Sequence, residues 1–230
     1  MTETPTLAPR TRTGNSTGTG TETDIGRELS AADRIRALRR TSRASQRDFD
    51  ALLDVLARPG RVRTLEVPEG VPAVAVAACG LLDVEVHTHV LAGPGDTEWA
   101  ESLHAATSAP RAELPRARTV VALRPVTAED VDALDVGTPL APENGARLFA
   151  SVDALDGEGP HDVDLLLSGP GVPDGTERRL RVRGLEPAVL DALARANASF
   201  PCGVDVFLVA ADGRVAGLPR TTRVRAAEAG

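Results

Sequence analysis

Alternating apolar and polar positions near the carboxyl end of the chain predict a β-hairpin. Two apolar runs, 204–210 and 214–218, flank Asp212-Gly213. An Asp-Gly pair between two such runs is the strongest short-range hairpin signal. The second run leads into Leu218-Pro219-Arg220-Thr221-Thr222-Arg223, so two guanidinium groups and two hydroxyls are expected just beyond a strand end.

Helical and strand-like periods alternate along the rest of the chain. Phe49, Leu52, Leu53 and Leu56 have the spacing of one helix face, with Ser45 as N-cap and Pro59-Gly60 as the stop. Similar patterns predict further helices at 31–40, 72–82, 97–107, 127–134 and from 187, and strands at 62–67, 84–91, 118–123, 147–155, 162–168 and 178–182. Helices that alternate with strands, followed by hairpins, indicate an α/β domain with a mixed sheet.

The 230 residues predict one folded domain with a tail. Residues 1–28 are rich in Thr, Gly and Pro, and they bury too little apolar surface to offset the entropy cost of ordering. We therefore expect a disordered tail at 1–28. Residues 29–44 predict a short helix, with Ser30 as its N-cap, and a linker, and 45–230 predict the α/β domain.

Composition argues against several classes of function. All 26 basic residues are arginine, so the chain has neither a P-loop lysine nor a lysine that could form a Schiff base with pyridoxal phosphate. The net charge of −7 argues against nucleic-acid binding. No apolar run approaches a membrane span, and no signal-peptide pattern appears. A cytoplasmic location with reduced thiols at Cys79 and Cys202 is the expectation.

Two further chemistries have little support from the sequence. His87 and His89 lie two residues apart on a predicted strand, so both imidazoles would share one face. No third ligand has a clear claim on that face, and we expect no metal site. The run Ser168-Gly169-Pro170-Gly171 lacks the GxSxG pattern of a nucleophile elbow and is interpreted as a turn.

Four stretches carry a family resemblance, in order and with sensible spacing. They read FDALLDVLARPG at 49–60, GTPLAPENGA at 137–146, LLLSGPGV at 165–172 and FPCGVDVFLVAADGRVAGLPRTTRV at 200–224. These stretches resemble the signatures of the PhnH family, the H subunit of the bacterial carbon–phosphorus lyase core complex. The matches together span about 45–225.

The resemblance implies a three-layer α/β fold similar to the large domain of pyridoxal-phosphate-dependent transferases, but without that cofactor. It also implies a homodimer that works with other core subunits in phosphonate catabolism. That assembly transfers a phosphonate to the ribose C1′ of ATP and releases adenine. A radical iron–sulfur subunit then cuts the carbon–phosphorus bond, and this chain lacks the cysteine cluster for that role. No cofactor and no activity of the isolated chain are expected. A stand-alone transferase and a purely structural subunit are the alternatives.

The candidate site lies in the last of these stretches. Arg220, Thr221, Thr222 and Arg223 are candidate ligands for an anion, with phosphonate and ATP as candidate substrates, whereas an exposed strand end is the alternative. No catalytic residue is assigned.

Two acids are candidate neighbours of these groups. Glu143 is the only acid of the GTPLAPENGA loop; it would orient Arg220 or Arg223, contact another subunit, or cap the backbone. Asp205 interrupts an apolar run and is either an outward residue or a paired carboxylate. The resemblance retains an acid at this place, which favours a partner such as Arg220.

Overall fold

The computed structural model describes Met1 and residues 29–156 and 161–227. Its main sheet is built from β1 (Val62–Thr64), β2 (Thr88–Leu91), β3 (Thr119–Ala122), β4 (Arg147–Val152), β8 (Asp205–Ala210) and β9 (Arg214–Leu218). The strand order is β1-β9-β8-β4-β3-β2. The pairs from β2 to β8 are parallel, and β9 is antiparallel to β8 and to β1. The predicted mixed sheet and terminal hairpin are confirmed.

A second sheet, wholly antiparallel, lies beside the first. It consists of β5 (Ala154–Leu155), β6 (Val163–Ser168), β7 (Arg178–Arg183) and β10 (Arg223–Ala226), in the order β10-β6-β7-β5. The sequence predicted one strand over 147–155, but the chain bends at Asp153 and passes from the main sheet to the second. The strand β10 was not predicted, because its residues are mostly exposed and arginine-rich.

Six α-helices pack with these sheets in the described chain. They are α1 (Ala31–Leu38), α2 (Ser42–Ala57), α3 (Ala73–Cys79), α4 (Thr97–Thr107), α5 (Ala128–Asp132) and α6 (Pro187–Ala196). Residues of α1 to α4 share one core with a face of the main sheet, where the rings of Phe149 and Phe207 stack with centroids 4.7 Å apart. The opposite face packs against the second sheet, α5 and α6. Apolar side chains on both faces of the central strands thus produce a layered α/β domain.

The helix α2 differs from its prediction in start and in orientation. Its N-cap is Thr41, whose hydroxyl accepts a hydrogen bond from the Ala44 N–H, so Ser45 lies inside the helix. The predicted inward residues Phe49 and Leu53 are 45% and 56% exposed. The buried face instead contains Asp48, whose carboxylate accepts a hydrogen bond of 2.9 Å from Arg40 Nε. Because the buried face includes the charged residue Asp48, the spacing of the apolar residues alone predicted the wrong buried face.

Other boundaries changed less. The predicted strand 84–91 is confirmed only from Thr88, because a turn precedes it and Val84 is 67% exposed. The caps at Ser30 and at Thr127 with Asp130 are confirmed. Helix α1 packs on α4, and its Leu38 is buried. The prediction for 1–28 lies outside the described residues, apart from Met1.

Candidate functional site

The segment between β9 and β10 meets the main sheet at the amino ends of its parallel strands. Asp205 begins β8 and lies opposite Arg147, which begins β4. The chain leaves the antiparallel strand β9 at Leu218 and therefore reaches the same edge at Arg220. Ligands of open parallel sheets usually bind beyond the carboxyl ends of the strands. This site lies instead at the amino ends of the strands.

Asp205 is the partner of Arg220, as the family resemblance had suggested. Its carboxylate accepts the Arg220 backbone N–H at 2.9 Å, the Nε–H at 3.2 Å and an Nη2–H at 2.7 Å. The side chains of Arg220 and Asp205 are only 14% and 24% exposed. An acid can begin this apolar strand because a charge-assisted, forked contact compensates for its partial burial.

Arg220 also joins the last stretch to the GTPLAPENGA loop. Its Nη1 donates to the Pro142 carbonyl at 2.8 Å. A Cβ on Gly145 would lie 2.8 Å from Arg220 Nη1 and 2.2 Å from the Gly203 carbonyl oxygen. Only glycine permits this close approach, so the loop and the Arg220 segment are interlocked.

Glu143 takes no part in that contact. Its side chain is exposed, and its carboxylate has neither an ion pair nor a hydrogen bond with the residues that the structure describes. Its backbone carbonyl accepts an N–H from Arg118 at 3.2 Å. Glu143 therefore neither orients Arg220 or Arg223 nor caps the backbone within the described chain, and contact with another subunit stays a prediction.

A groove of about 620 Å³ opens beside this interlocked segment. One wall is apolar and comes from α6 and the turn after it; the other comes from the segment that ends in β10. The lining residues are Pro170, Leu190, Leu193, Ala194, Asn197, Ala198, Phe200, Arg220, Thr221, Thr222, Arg223 and Val224. Phe200 is 71% exposed at its rim. The predicted residues Arg220 to Arg223 are thus brought together at one groove. Asp205 does not line the groove but holds Arg220, which does.

Two polar groups of the groove have unused hydrogen-bonding capacity. The Arg223 guanidinium is exposed and unpaired with respect to the described residues. The Thr222 hydroxyl is buried, and nothing in the described chain satisfies it. The Asn197 amide, by contrast, already makes two hydrogen bonds to the Val204 backbone, of 2.7 and 3.3 Å. The groove therefore offers the Arg223 guanidinium and the partly exposed Thr221 to a ligand.

The four stretches that carried the family resemblance form one chain of contacts. The turn at Gly171 approaches the end of α2 so closely that a Cβ would lie 2.3 Å from the Ala57 carbonyl oxygen. Ser168, just before that turn, pairs with Arg223 in the second sheet. Arg220 then contacts Pro142. Contacts thus connect the four stretches, and the third and fourth of them also line the groove.

Arg147 is a further member of this region that sequence reasoning missed. Burial lowers the pKa of its guanidinium; nearby Asp205 opposes the shift and Arg220 adds to it. Its side chain has no ion pair or hydrogen bond among the described residues. Its position directly after the GTPLAPENGA loop, at the start of a predicted strand, was the sequence signal that could have placed Arg147 near the site.

The described residues contain neither a cluster suited to a metal ion nor a helix suited to crossing a membrane. No group of three or more His, Cys, Asp or Glu side chains among them is placed to hold a metal ion. None of the described helices combines the length and the apolar character needed to cross a membrane.

Comparison with known proteins supports the family resemblance that the four stretches carry. The sequence profile of the family described as "Bacterial phosphonate metabolism protein (PhnH)" matches residues 36–225. The "Putative C-P lyase subunit protein HtxG" of Stutzerimonas stutzeri is 43% identical over 83 residues, which are 36% of this chain and 39% of that protein. The "Alpha-D-ribose 1-methylphosphonate 5-triphosphate synthase subunit PhnH" of Rhizobium meliloti (strain 1021) is 28% identical over 192 residues, 78% of this chain and 90% of that protein. This chain therefore belongs to the PhnH family of bacterial phosphonate metabolism proteins.

Proposed function

We propose that this chain is the non-radical H subunit of a carbon–phosphorus lyase system, needed for transfer of a phosphonate to the ribose C1′ of ATP with release of adenine. Membership of the PhnH family supports a role in the carbon–phosphorus lyase system. The name of the Rhizobium relative supports a role in the transfer of the phosphonate to ATP. The proposal includes a cytoplasmic homodimer that works with the other core subunits. It also includes a fold similar to the large domain of pyridoxal-phosphate-dependent transferases, without the cofactor.

The groove beside Arg223 is the observation that carries the proposal. A phosphonate has an anionic head and an organic substituent, and the groove has a matching division. The free Arg223 guanidinium and the partly exposed Thr221 suit the oxygens of the head, whereas the Thr222 hydroxyl is buried in the free chain. Apolar side chains such as Leu190 and Phe200 suit an organic group on the opposite wall.

Arg220 supports this groove instead of supplying its charge. An arginine has about five N–H donors. Nε and one hydrogen each of Nη1 and Nη2 already serve Asp205 and Pro142. Asp205 also balances the charge of Arg220, so Arg223 supplies the net positive charge at the groove.

The chemistry of the lining favours binding over catalysis by the chain alone. The described residues that line the groove include no carboxylate, imidazole or thiol. Without an adjacent base, a threonine hydroxyl is a weak nucleophile. We infer that the groove presents an anionic substrate to a partner subunit, which supplies the reacting groups.

The test is Arg223→Ala in the co-expressed core complex. We expect normal assembly and a loss of about tenfold in kcat/KM for the phosphonate, because one charge-assisted contact is removed. Arg225→Ala is the matched control, since Arg225 lies on the same strand but its guanidinium pairs with Glu177 at 3.0 Å. Equal activity of Arg223→Ala and Arg225→Ala would overturn the proposed role of the groove.

A second measurement separates the alternative functions. The isolated chain is incubated with a phosphonate and ATP, and adenine release is followed. We expect none. Turnover by the isolated chain would support the stand-alone transferase, and full activity of a complex that lacks this chain would show that the subunit is dispensable.

A further inference from the structure

Three of the four histidines in the chain line one cavity at the β2 edge of the main sheet. The cavity measures about 620 Å³ and shares no lining residue with the groove beside Arg223. His87 and His89 come from β2 and the turn before it, and His104 from α4. The segment after α4 adds Arg111, Glu113 and Arg116.

Two of the imidazoles have a fixed tautomer. Nδ1 of His89 lies 2.9 Å from the Ala112 carbonyl oxygen, and Nδ1 of His104 lies 3.0 Å from that of Ala109. A carbonyl oxygen only accepts hydrogen bonds, so Nδ1 carries the proton in both rings. Neutral His89 and His104 therefore have bare Nε2 atoms, which donate only after a second proton is bound.

The charges around the cavity balance while the histidines are neutral. The charge of Arg111 is balanced by Glu101, with which it pairs at 2.6 Å. Glu113, the acid that lines the cavity, balances the charge of Arg116. Arg116 is exposed, and its guanidinium has no partner among the residues that the structure describes. Each proton taken up by His87, His89 or His104 would thus make the cavity net positive.

We propose that this cavity binds a small tetrahedral oxyanion of the sulfate or phosphate type, held by Arg116 and by the Nε2–H groups of His89 and His104 once protons are taken up. A metal ion fits less well. The described carboxylates, imidazoles and thiols form no group of three that could hold one, and two arginines repel a cation. This site is separate from the proposed function, and either can fail without the other.

The direction of the pH dependence follows from the surroundings of His104. Burial lowers the pKa of His104; the bond to Ala109 and the charge of Glu101 oppose this, whereas Arg111 and His89 lower it further. His104 is therefore neutral at neutral pH in the free protein. A bound anion favours the imidazolium, so binding strengthens as the pH falls.

The experiment is calorimetric titration of the full chain with sodium sulfate at about pH 6 and about pH 8, at constant ionic strength, because sulfate itself does not titrate in this range. Each proton taken up changes Kd by up to about tenfold per pH unit, so uptake by both imidazoles changes it by up to about a hundredfold, and we expect clearly tighter binding at the lower pH. Repeating the titration in two buffers of different ionisation enthalpy gives the number of protons taken up. Long-range proton–nitrogen spectra of the imidazoles should show Nε2 of His89 and His104 gaining a proton as sulfate binds.

Variants identify the groups that bind. The double variant His89→Gln/His104→Gln should lose the pH dependence of sulfate binding. Arg116→Ala should weaken sulfate binding at both pH values, and it should leave the fold intact because Arg116 is exposed. His161→Gln is the control, since His161 does not line the cavity. The proposal is overturned if sulfate does not bind at the lower pH, if His161→Gln weakens binding as much as the cavity variants, or if the imidazoles bind Zn²⁺ stoichiometrically and sulfate does not perturb them.

Discussion

Asp205 holds Arg220 by its backbone and its side chain at once, because one carboxylate accepts the peptide N–H at 2.9 Å and the guanidinium at 2.7 Å. The contact fixes the start of β8 to the segment that follows β9. Arg220 then extends to the Pro142 carbonyl. Arg220 therefore connects β8, the segment after β9 and the GTPLAPENGA loop, and its role as an anion ligand of the groove stays a prediction.

Arg220→Ala should lower the free energy of unfolding by about 2–4 kcal/mol, since it leaves a largely buried carboxylate without its partner. Urea denaturation of Arg220→Ala, Asp205→Ala and the double variant measures this cost and the coupling between the residues. We expect a coupling energy above about 1 kcal/mol. Additive effects of the two substitutions would contradict the structural role.

Gly145→Ala should destabilise the fold by about 2 kcal/mol or more, because its methyl group has no space. The nearest atoms would be the Gly203 carbonyl oxygen at 2.2 Å and Arg220 Nη1 at 2.8 Å. Gly80→Ala is the control, since its nearest neighbour would be the Ala77 carbonyl oxygen at an ordinary 3.4 Å. Thermal unfolding should separate the variants clearly, and equal midpoints would show that the loop relaxes around the added methyl group.

Local signals predicted the elements whose cause is local. The Asp212-Gly213 hairpin and the Thr127–Asp130 capping box depend on residues within a few positions of one another, and both are confirmed. The orientation of α2 depends instead on the tertiary burial of Asp48 with Arg40. No period in the sequence reveals that pair, so the faces carrying Phe49 and Leu53 were assigned incorrectly.

The site was predictable to a similar degree. The type and order of Arg220 to Arg223 indicated a cluster, and the structure places them along one groove. Which of them is free depends on partners from distant strands and loops. Arg220 is engaged by Asp205 and Pro142, whereas Arg223 has no such partner among the described residues.

The two thiols should be nearly inert in the native protein. Burial raises the pKa of Cys79 from 9.0 to about 12, with a smaller opposing effect of Arg40 and a reinforcing effect of Asp48. Cys202 is only 7% exposed. Since the thiolate is the reactive form, native protein at about pH 8 should react with Ellman's reagent more than about a hundredfold slower than protein unfolded in guanidinium. Rapid release of one equivalent from the native chain would contradict the raised pKa of Cys79 or the burial of Cys202.

The ion pair at the start of α5 should make stability depend on acid pH. Burial raises the pKa of Asp130, but the hydrogen bonds from Arg124 and Thr127 outweigh it and hold the pKa below the usual 3.8. A lowered folded-state pKa stabilises the fold above the unfolded-state value, and this stabilisation is lost as the pH falls through the folded-state value. Arg124 contributes two bonds of 2.7 and 2.8 Å, and the Asp130 side chain is 11% exposed.

Asp130→Asn should therefore cost about 1 kcal/mol near neutral pH, and the difference from the wild type should shrink below about pH 4. Urea denaturation of both proteins over this range measures the change. Asp132→Asn on the same helix is the control, because its pair with Arg195 is 51–58% exposed and should contribute less than about 0.5 kcal/mol. A difference between wild type and Asp130→Asn that stays constant down to about pH 3 would show that the lost stability comes from packing and not from the charge of Asp130.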